Sequence, residues 1–168
     1  MKSEPTLSIL VPCYNVEKYL NQCLLSIQNQ TFNDFEVICL NDGSTDSTLS
    51  ILKSFQNQDS RFKIIDKPNT GYGDSMNIGL HSAKGKYIGI VESDDYIDHK
   101  MFQKLVEEAE AKNLDVSRGG YFLSSKGGIT PLKNDWIKKN TVFNPNIDPS
   151  PFWQAPAICV TRQHRIAA

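Results

Sequence analysis

No stretch of this sequence approaches the ~20 consecutive apolar residues that cross a bilayer, so a membrane span is not expected. The first apolar run, Leu7 to Val11, is too short for the core of a signal peptide and meets Pro12. An excess of either charge is also missing: 18 Lys and Arg against 19 Asp and Glu leave a net charge of −1. Such a chain has no general attraction for nucleic acid or an anionic membrane, so any anion site must be local. Cysteine is sparse, and Cys13, Cys23, Cys39 and Cys159 show neither C-x-x-C spacing nor a neighbouring histidine, which argues against zinc. Buried free thiols in a cytoplasmic protein, free or peripheral at the inner face of the membrane, are the expectation. Internal repeats and low-complexity tracts are absent as well.

What is present is an ordinary globular composition, 39% hydrophobic and 22% charged over 168 residues. One domain of that size buries roughly 70% of its unfolded surface without staples. Short apolar runs at Leu7–Val11, Phe35–Leu40, Arg61–Asp66 and Tyr87–Val91 read as strands. The first is stopped by Pro12, the third is weakened by Arg61 and Lys63, and the last is buried on both faces. Between them Leu20, Cys23, Leu24 and Ile27 repeat at helical spacing, as do Thr48, Ile51, Leu52 and Phe55. Pro68 to Asp74 reads as a flexible loop before a short helix from Ser75 to about Ala83. Asp98 is placed to cap a helix reaching Asn113 with Phe102, Leu105, Val106 and Ala109 inward, and Val116–Leu123 forms a fifth strand. Four alternations of strand and helix imply an α/β fold, a Rossmann-like mostly parallel sheet with helices on both faces. Beyond Ser124 no period emerges.

Three loops follow the first, second and fourth strands and should open on one edge of the sheet, where an α/β fold has its ligand crevice. Tyr14 offers a ring for a base, with Asn15 beside it, and Asp42 offers an acceptor for a base N–H next to Gly43. Glu92, Asp94 and Asp95 repel one another unless a cation or donor groups neutralise them. Oxygen-only ligands of that kind suit Mg²⁺ or Mn²⁺. Each feature has a plainer reading: Tyr14 covers the sheet edge, Asp42-Gly43 is a common turn pair, and Ser93-Asp94-Asp95 is a turn. Their convergence on one edge counts for more than any of them singly.

Ser8-Ile-Leu-Val-Pro-Cys-Tyr-Asn-Val-Glu-Lys-Tyr-Leu20, Ser26-Ile-Gln-Asn-Gln-Thr31, Asn41-Asp-Gly-Ser-Thr-Asp46, Asn77-Ile-Gly79 and Ala83-Lys-Gly-Lys-Tyr-Ile88 closely resemble the family 2 glycosyltransferases of GT-A fold, from about Leu7 to Ile97. The resemblance implies an inverting transferase carrying a sugar from a nucleoside-diphosphate donor, usually UDP-linked, to a hydroxyl on a glycan or lipid-linked acceptor in surface-polysaccharide synthesis. It implies further that Pro12 and Tyr14 line the base pocket, with Asp42 reading the base and Asp94 at the ribose. Asp95 would hold the metal with Glu92 at the first acidic position, and Lys67, Asn69 and Gly71 would edge the donor pocket.

The chain departs from the family pattern in three places. Glu92 stands where Asp is usual, and Met76 where many members carry Arg. No Glu-Asp pair follows the fifth strand to provide the family's catalytic base, since Asp135 and Asp148 are the only acids after Asp115. The expectation is therefore a nucleotide-sugar-binding core over residues 1–123 and the incomplete start of an acceptor-side region over 124–168. His164, in a basic end, reads as a solvated group rather than a metal ligand, and His81 and His99 as surface residues. A nucleotidyltransferase would need a Gly-rich basic loop after the first strand, where Pro-Cys-Tyr-Asn stands instead.

Overall fold

The computed structural model describes residues 4–120, 122–125, 128–131 and 159–162. The chain divides into two compact units, Met1–Ser117 with Cys159–Ala168, and Arg118–Ile158. In the first, β1 (Leu7–Cys13), β2 (Phe35–Asp42), β3 (Phe62–Lys67) and β4 (Tyr87–Ile90) alternate with α1 (Glu17–Gln28), α2 (Thr48–Gln58) and α3 (Tyr72–Ser82). Helix α4 (Met101–Ala111) and strand β5 (Val116–Arg118) follow. Strands β6 (Phe122–Ser125) and β7 (Gly128–Pro131) pair antiparallel in a sheet of their own, and β8 (Cys159–Arg162) closes the described chain. The main sheet has the order β3-β2-β1-β4-β8-β5. Its first four strands are mutually parallel, and β8 runs antiparallel to β4.

Successive strand residues point to opposite faces, and both faces are covered. On one, Leu10, Ile38, Leu40 and Ile88 form a buried cluster with Met76 and Ala83 from α3 and its end. On the other, Gly89 lies so close under α4 that a Cβ would stand 2.9 Å from the Phe102 ring. The inward residues of α1 are Leu20, Cys23, Leu24 and Ile27, and those of α4 are Phe102, Leu105, Val106 and Ala109, as their spacing implies. Strands β1 and β2 are buried along their whole length, whereas β3, at the sheet edge, is buried only in part.

Several boundaries differ from the sequence reading for identifiable reasons. Strand β1 runs through Pro12 to Cys13. Pro12 has the parity of Leu10, whose carbonyl accepts the Val91 N–H on the β4 side, and β4 itself ends at Ile90. The missing proline N–H thus deprives no ladder partner. Ile90 is exposed, so β4 is not buried on both faces to its end. Helix α3 starts at Tyr72 rather than Ser75, because the loop before it is held from a distance by Asp42. Helix α4 starts at Met101: Asp98 makes the turn before it, and Gln30 Oε1 takes the Phe102 N–H at 3.1 Å.

The expected fifth strand is two strands, β5 and β6, separated at Gly119 and Gly120. Cys159–Arg162, in a stretch without a readable period, is a strand of the main sheet. Four residues carry too short a pattern to be seen without the partner they pair with. Asp135, Asp148 and His164 lie outside the described residues.

Candidate functional site

The order of the sheet makes the end of β1 a switch point. From β1 the chain moves outward through β2 to β3, then returns to β4 on the other side of β1. Open α/β sheets hold ligands outside the carboxyl ends of their strands at such a point. The registers Cys13↔Asn41, Asp42↔Lys67 and Leu10↔Ile90 bring the segments after all four strands to that one edge. Tyr14, Asp42 and the Glu92–Asp95 segment therefore share an edge, as the sequence reading required.

Hydrogen bonds link these segments one to the next. Asn15, in the left-handed region at φ 51, accepts the Thr45 N–H on Oδ1 at 2.8 Å. Its own N–H donates to Ser44 Oγ at 3.1 Å. Asp46 accepts the Glu17 N–H at 3.2 Å and the Thr48 N–H at 2.9 Å, so one carboxylate serves the first turns of both α1 and α2. The Asn-Asp-Gly-Ser-Thr-Asp run is thus largely a clamp between the first two loops. Tyr14 remains 51% exposed beside that clamp, and Pro12 is buried within β1.

Asp42 holds the next segment. Its Oδ1 accepts from Lys67 Nζ at 2.5 Å and the Thr70 N–H at 2.9 Å, and its Oδ2 accepts the Gly71 N–H at 2.9 Å. Burial alone pushes this carboxyl up, but Lys67 and the two N–H groups more than reverse that and hold it below the usual carboxylate range. One lone pair on Oδ2 is left for a base N–H. Lys67 also donates to Thr70 Oγ1 and lies 3.5 Å from Asp74. Asn69 is exposed, and its backbone packs on Gly43, where φ is +68 and a Cβ would stand 2.7 Å from the Asn69 nitrogen.

The acidic segment is not one cluster of three. Among the described residues no three His, Cys, Asp or Glu side chains come together as a metal cage. Glu92 Oε1 instead accepts the Tyr72 hydroxyl at 2.8 Å, while the Glu92 carbonyl accepts the Asp95 N–H at 3.0 Å. Burial, then the Asp94 charge, raise the Asp95 carboxyl above its ordinary value. No Lys or Arg among the described residues pairs with Asp94 or Asp95. An adjacent, uncompensated carboxylate pair at the sheet edge is a donor set that fits a hard divalent cation.

Tyr72, Thr70 and Asp74 are members of this edge that the sequence reading did not single out. The signal for Tyr72 was an aromatic ring set between Gly71 and Gly73 in a loop otherwise small and polar. Met76, by contrast, is buried in the core. His81 and His99 are exposed, as expected.

Comparison with known proteins agrees with the geometry. The chain is 40% identical over 121 residues to the uncharacterized glycosyltransferase EpsJ of Bacillus subtilis (strain 168), covering 72% of this chain and 35% of EpsJ. It is 39% identical over 104 residues to the chondroitin synthase of Pasteurella multocida (strain Pm70), 62% of this chain and 11% of the synthase. The S. aureus TarS 1-349 structure in complex with UDP-GlcNAc superposes with a TM-score of 0.63 at 34% identity, over 66% of this chain and 33% of that one. The chain thus spans about a third of the length of EpsJ and of that TarS chain. No helix among the described residues is long and apolar enough to cross a membrane. The family model "Glycosyl transferase family 2" matches residues 8–163, nearly the whole length, and with the switch-point edge and its acidic loop this establishes that the chain belongs to glycosyl transferase family 2.

Proposed function

We infer that this chain is the donor-binding part of an inverting glycosyltransferase. It would carry a sugar from a nucleoside-diphosphate donor, UDP-linked, to a hydroxyl on a glycan or lipid-linked acceptor in surface-polysaccharide assembly. The observation that carries the reading is the convergence of Tyr14, Asp42 and the Asp94–Asp95 pair on one sheet edge. The TarS relative, solved with UDP-GlcNAc, supports the choice of donor class.

In this reading Tyr14 stacks on the base, Pro12 shapes the strand end beneath it, and Asp42 Oδ2 accepts a base N–H. Asn15 and Asn69 hold the loops around the base. Lys67 and Gly71 keep Asp42 ionised and aimed. Asp94 takes the ribose hydroxyls, and Asp95 holds Mg²⁺ or Mn²⁺. When bound, that ion would neutralise charge developing on the nucleoside diphosphate as it leaves. Lys67 is engaged by Asp42 and Asp74, so no lysine of this loop is left for that task. We place the chain in the cytoplasm, free or at the inner face of the membrane; Cys13, Cys23 and Cys39, all buried and unpaired, support a reducing compartment.

A second reading has its own support: no Glu-Asp pair follows Asp115, so the 168-residue chain binds nucleotide and metal without transferring sugar. Calorimetry of UDP with and without Mn²⁺, run beside a donor-turnover assay, tests both. Metal-dependent binding with turnover supports the transferase, and binding without turnover supports the second reading. Absence of metal-dependent binding overturns both.

A further inference from the structure

The acidic segment lies beyond β4, and Tyr72 lies beyond β3, with β2 and β1 between them. At about 4.8 Å per strand the two loops start roughly 14 Å apart. They meet because α3 packs back over β2 and β1, which brings its first turn to the far side of the edge. There the Tyr72 hydroxyl donates to Glu92 Oε1 at 2.8 Å.

Both ends of this bond are anchored. Tyr72 follows Gly71, whose N–H is held by Asp42 Oδ2 at 2.9 Å. The Glu92 carbonyl accepts the Asp95 N–H at 3.0 Å and the Cys23 thiol at 3.6 Å. The Tyr72 side chain, 55% exposed, is not fixed there by burial in the core. Three carboxylates in four residues read along the sequence as one cluster, yet no such cluster forms among the described residues. The phenol satisfies one Glu92 oxygen from the first turn of α3.

We propose that Tyr72 is a positioning residue that draws Glu92 out of the acidic cluster, leaving Asp95 to receive the divalent cation while Asp94 serves the ribose. This rests on the nucleotide and metal reading above. Without the phenol hydroxyl, Glu92 is released to turn toward the pair and adds a further carboxylate to the cation's surroundings. Tyr72 thereby sets how tightly the edge holds its metal, independently of the base pocket.

The test is Mn²⁺ binding by the 168-residue chain, measured by the paramagnetic resonance of free Mn²⁺ with and without UDP. Tyr72→Phe is expected to bind Mn²⁺ about three- to tenfold more tightly than wild type, the range of one net hydrogen bond. Glu92→Gln in the Tyr72→Phe background is expected to abolish that gain. UDP affinity without metal stays unchanged in Tyr72→Phe, and the thermal midpoint falls by no more than a few degrees, as for the loss of one net hydrogen bond. Equal Mn²⁺ affinity in wild type and Tyr72→Phe, weaker affinity in the variant, or a gain that survives Glu92→Gln overturns the proposal. A wild-type chain that binds Mn²⁺ but not UDP defeats the nucleotide reading instead, and the Tyr72 effect is then read on Mn²⁺ alone. No Mn²⁺ binding by either protein overturns both.

Discussion

Lys67 Nζ stands 2.5 Å from Asp42 Oδ1, in a pair whose side chains are 10% and 8% exposed. The two residues sit opposite each other at the ends of β3 and β2, so a strand register delivers the ion pair. Around it close the Thr70 and Gly71 N–H groups, which turn a loop of Pro, Asn, Thr and Gly into a fixed edge of the site.

Asp42→Ala should therefore loosen the loop as well as the base contact. Hydrogen exchange at the Thr70 and Gly71 amides is expected to rise while that of β1 and β2 is unchanged, and UDP affinity should fall roughly tenfold, the loss of one strong hydrogen bond. Protection of both amides at the wild-type level would contradict the holding role.

Asp95→Ala is expected to remove the Mn²⁺-dependent part of UDP binding and leave the fold intact, since Asp95 is exposed at the sheet edge. Calorimetry and circular dichroism read the two halves of this statement separately. An unchanged affinity in the presence of Mn²⁺ would remove the metal assignment.

At the opposite end of the sheet, Gly85 donates its N–H to Ser8 Oγ at 2.8 Å, and a Cβ there would stand 2.5 Å from the Ser8 nitrogen. Gly85→Ala must push backbone away from backbone in the turn between α3 and β4. A loss of about 1–3 kcal/mol is expected in denaturant unfolding, as for other overpacked sites. A loss below 0.5 kcal/mol would show that the turn yields freely.

Acid should unfold the chain through its buried carboxylates. Burial pushes Glu36 up, but Lys63, Ser8 and the Lys84 N–H together bring it below its ordinary value. Asp42 is lowered in the same way. A lowered folded pKa gives stability that is present above the unfolded value and lost as pH falls through the folded one. The urea midpoint should therefore drop below about pH 4, with a shallower acid slope in Glu36→Gln. Asp95, raised by burial and by Asp94, works in the opposite direction and gains its proton more readily folded than unfolded. A midpoint flat with pH down to about 3 would contradict the assignment.

Much of this protein was decided locally. The runs Leu7–Val11 and Phe35–Leu40, and the helical faces of α1 and α4, are set by the spacing of apolar side chains, because burial rewards one period or the other. Parallel strands then bring the carboxyl ends of β1, β2 and β4 to one edge, so the convergence of Tyr14, Asp42 and Asp94–Asp95 was also implicit in the order of elements. Contacts between residues far apart in the chain decided the rest. Asp42 brought forward the start of α3, pairing with β4 made a strand of Cys159–Arg162, and the Tyr72 hydroxyl reached Glu92 across the sheet edge. Each is a hydrogen bond between groups twenty or more residues apart, and no local pattern carries it because the partner is supplied only when the chain has folded.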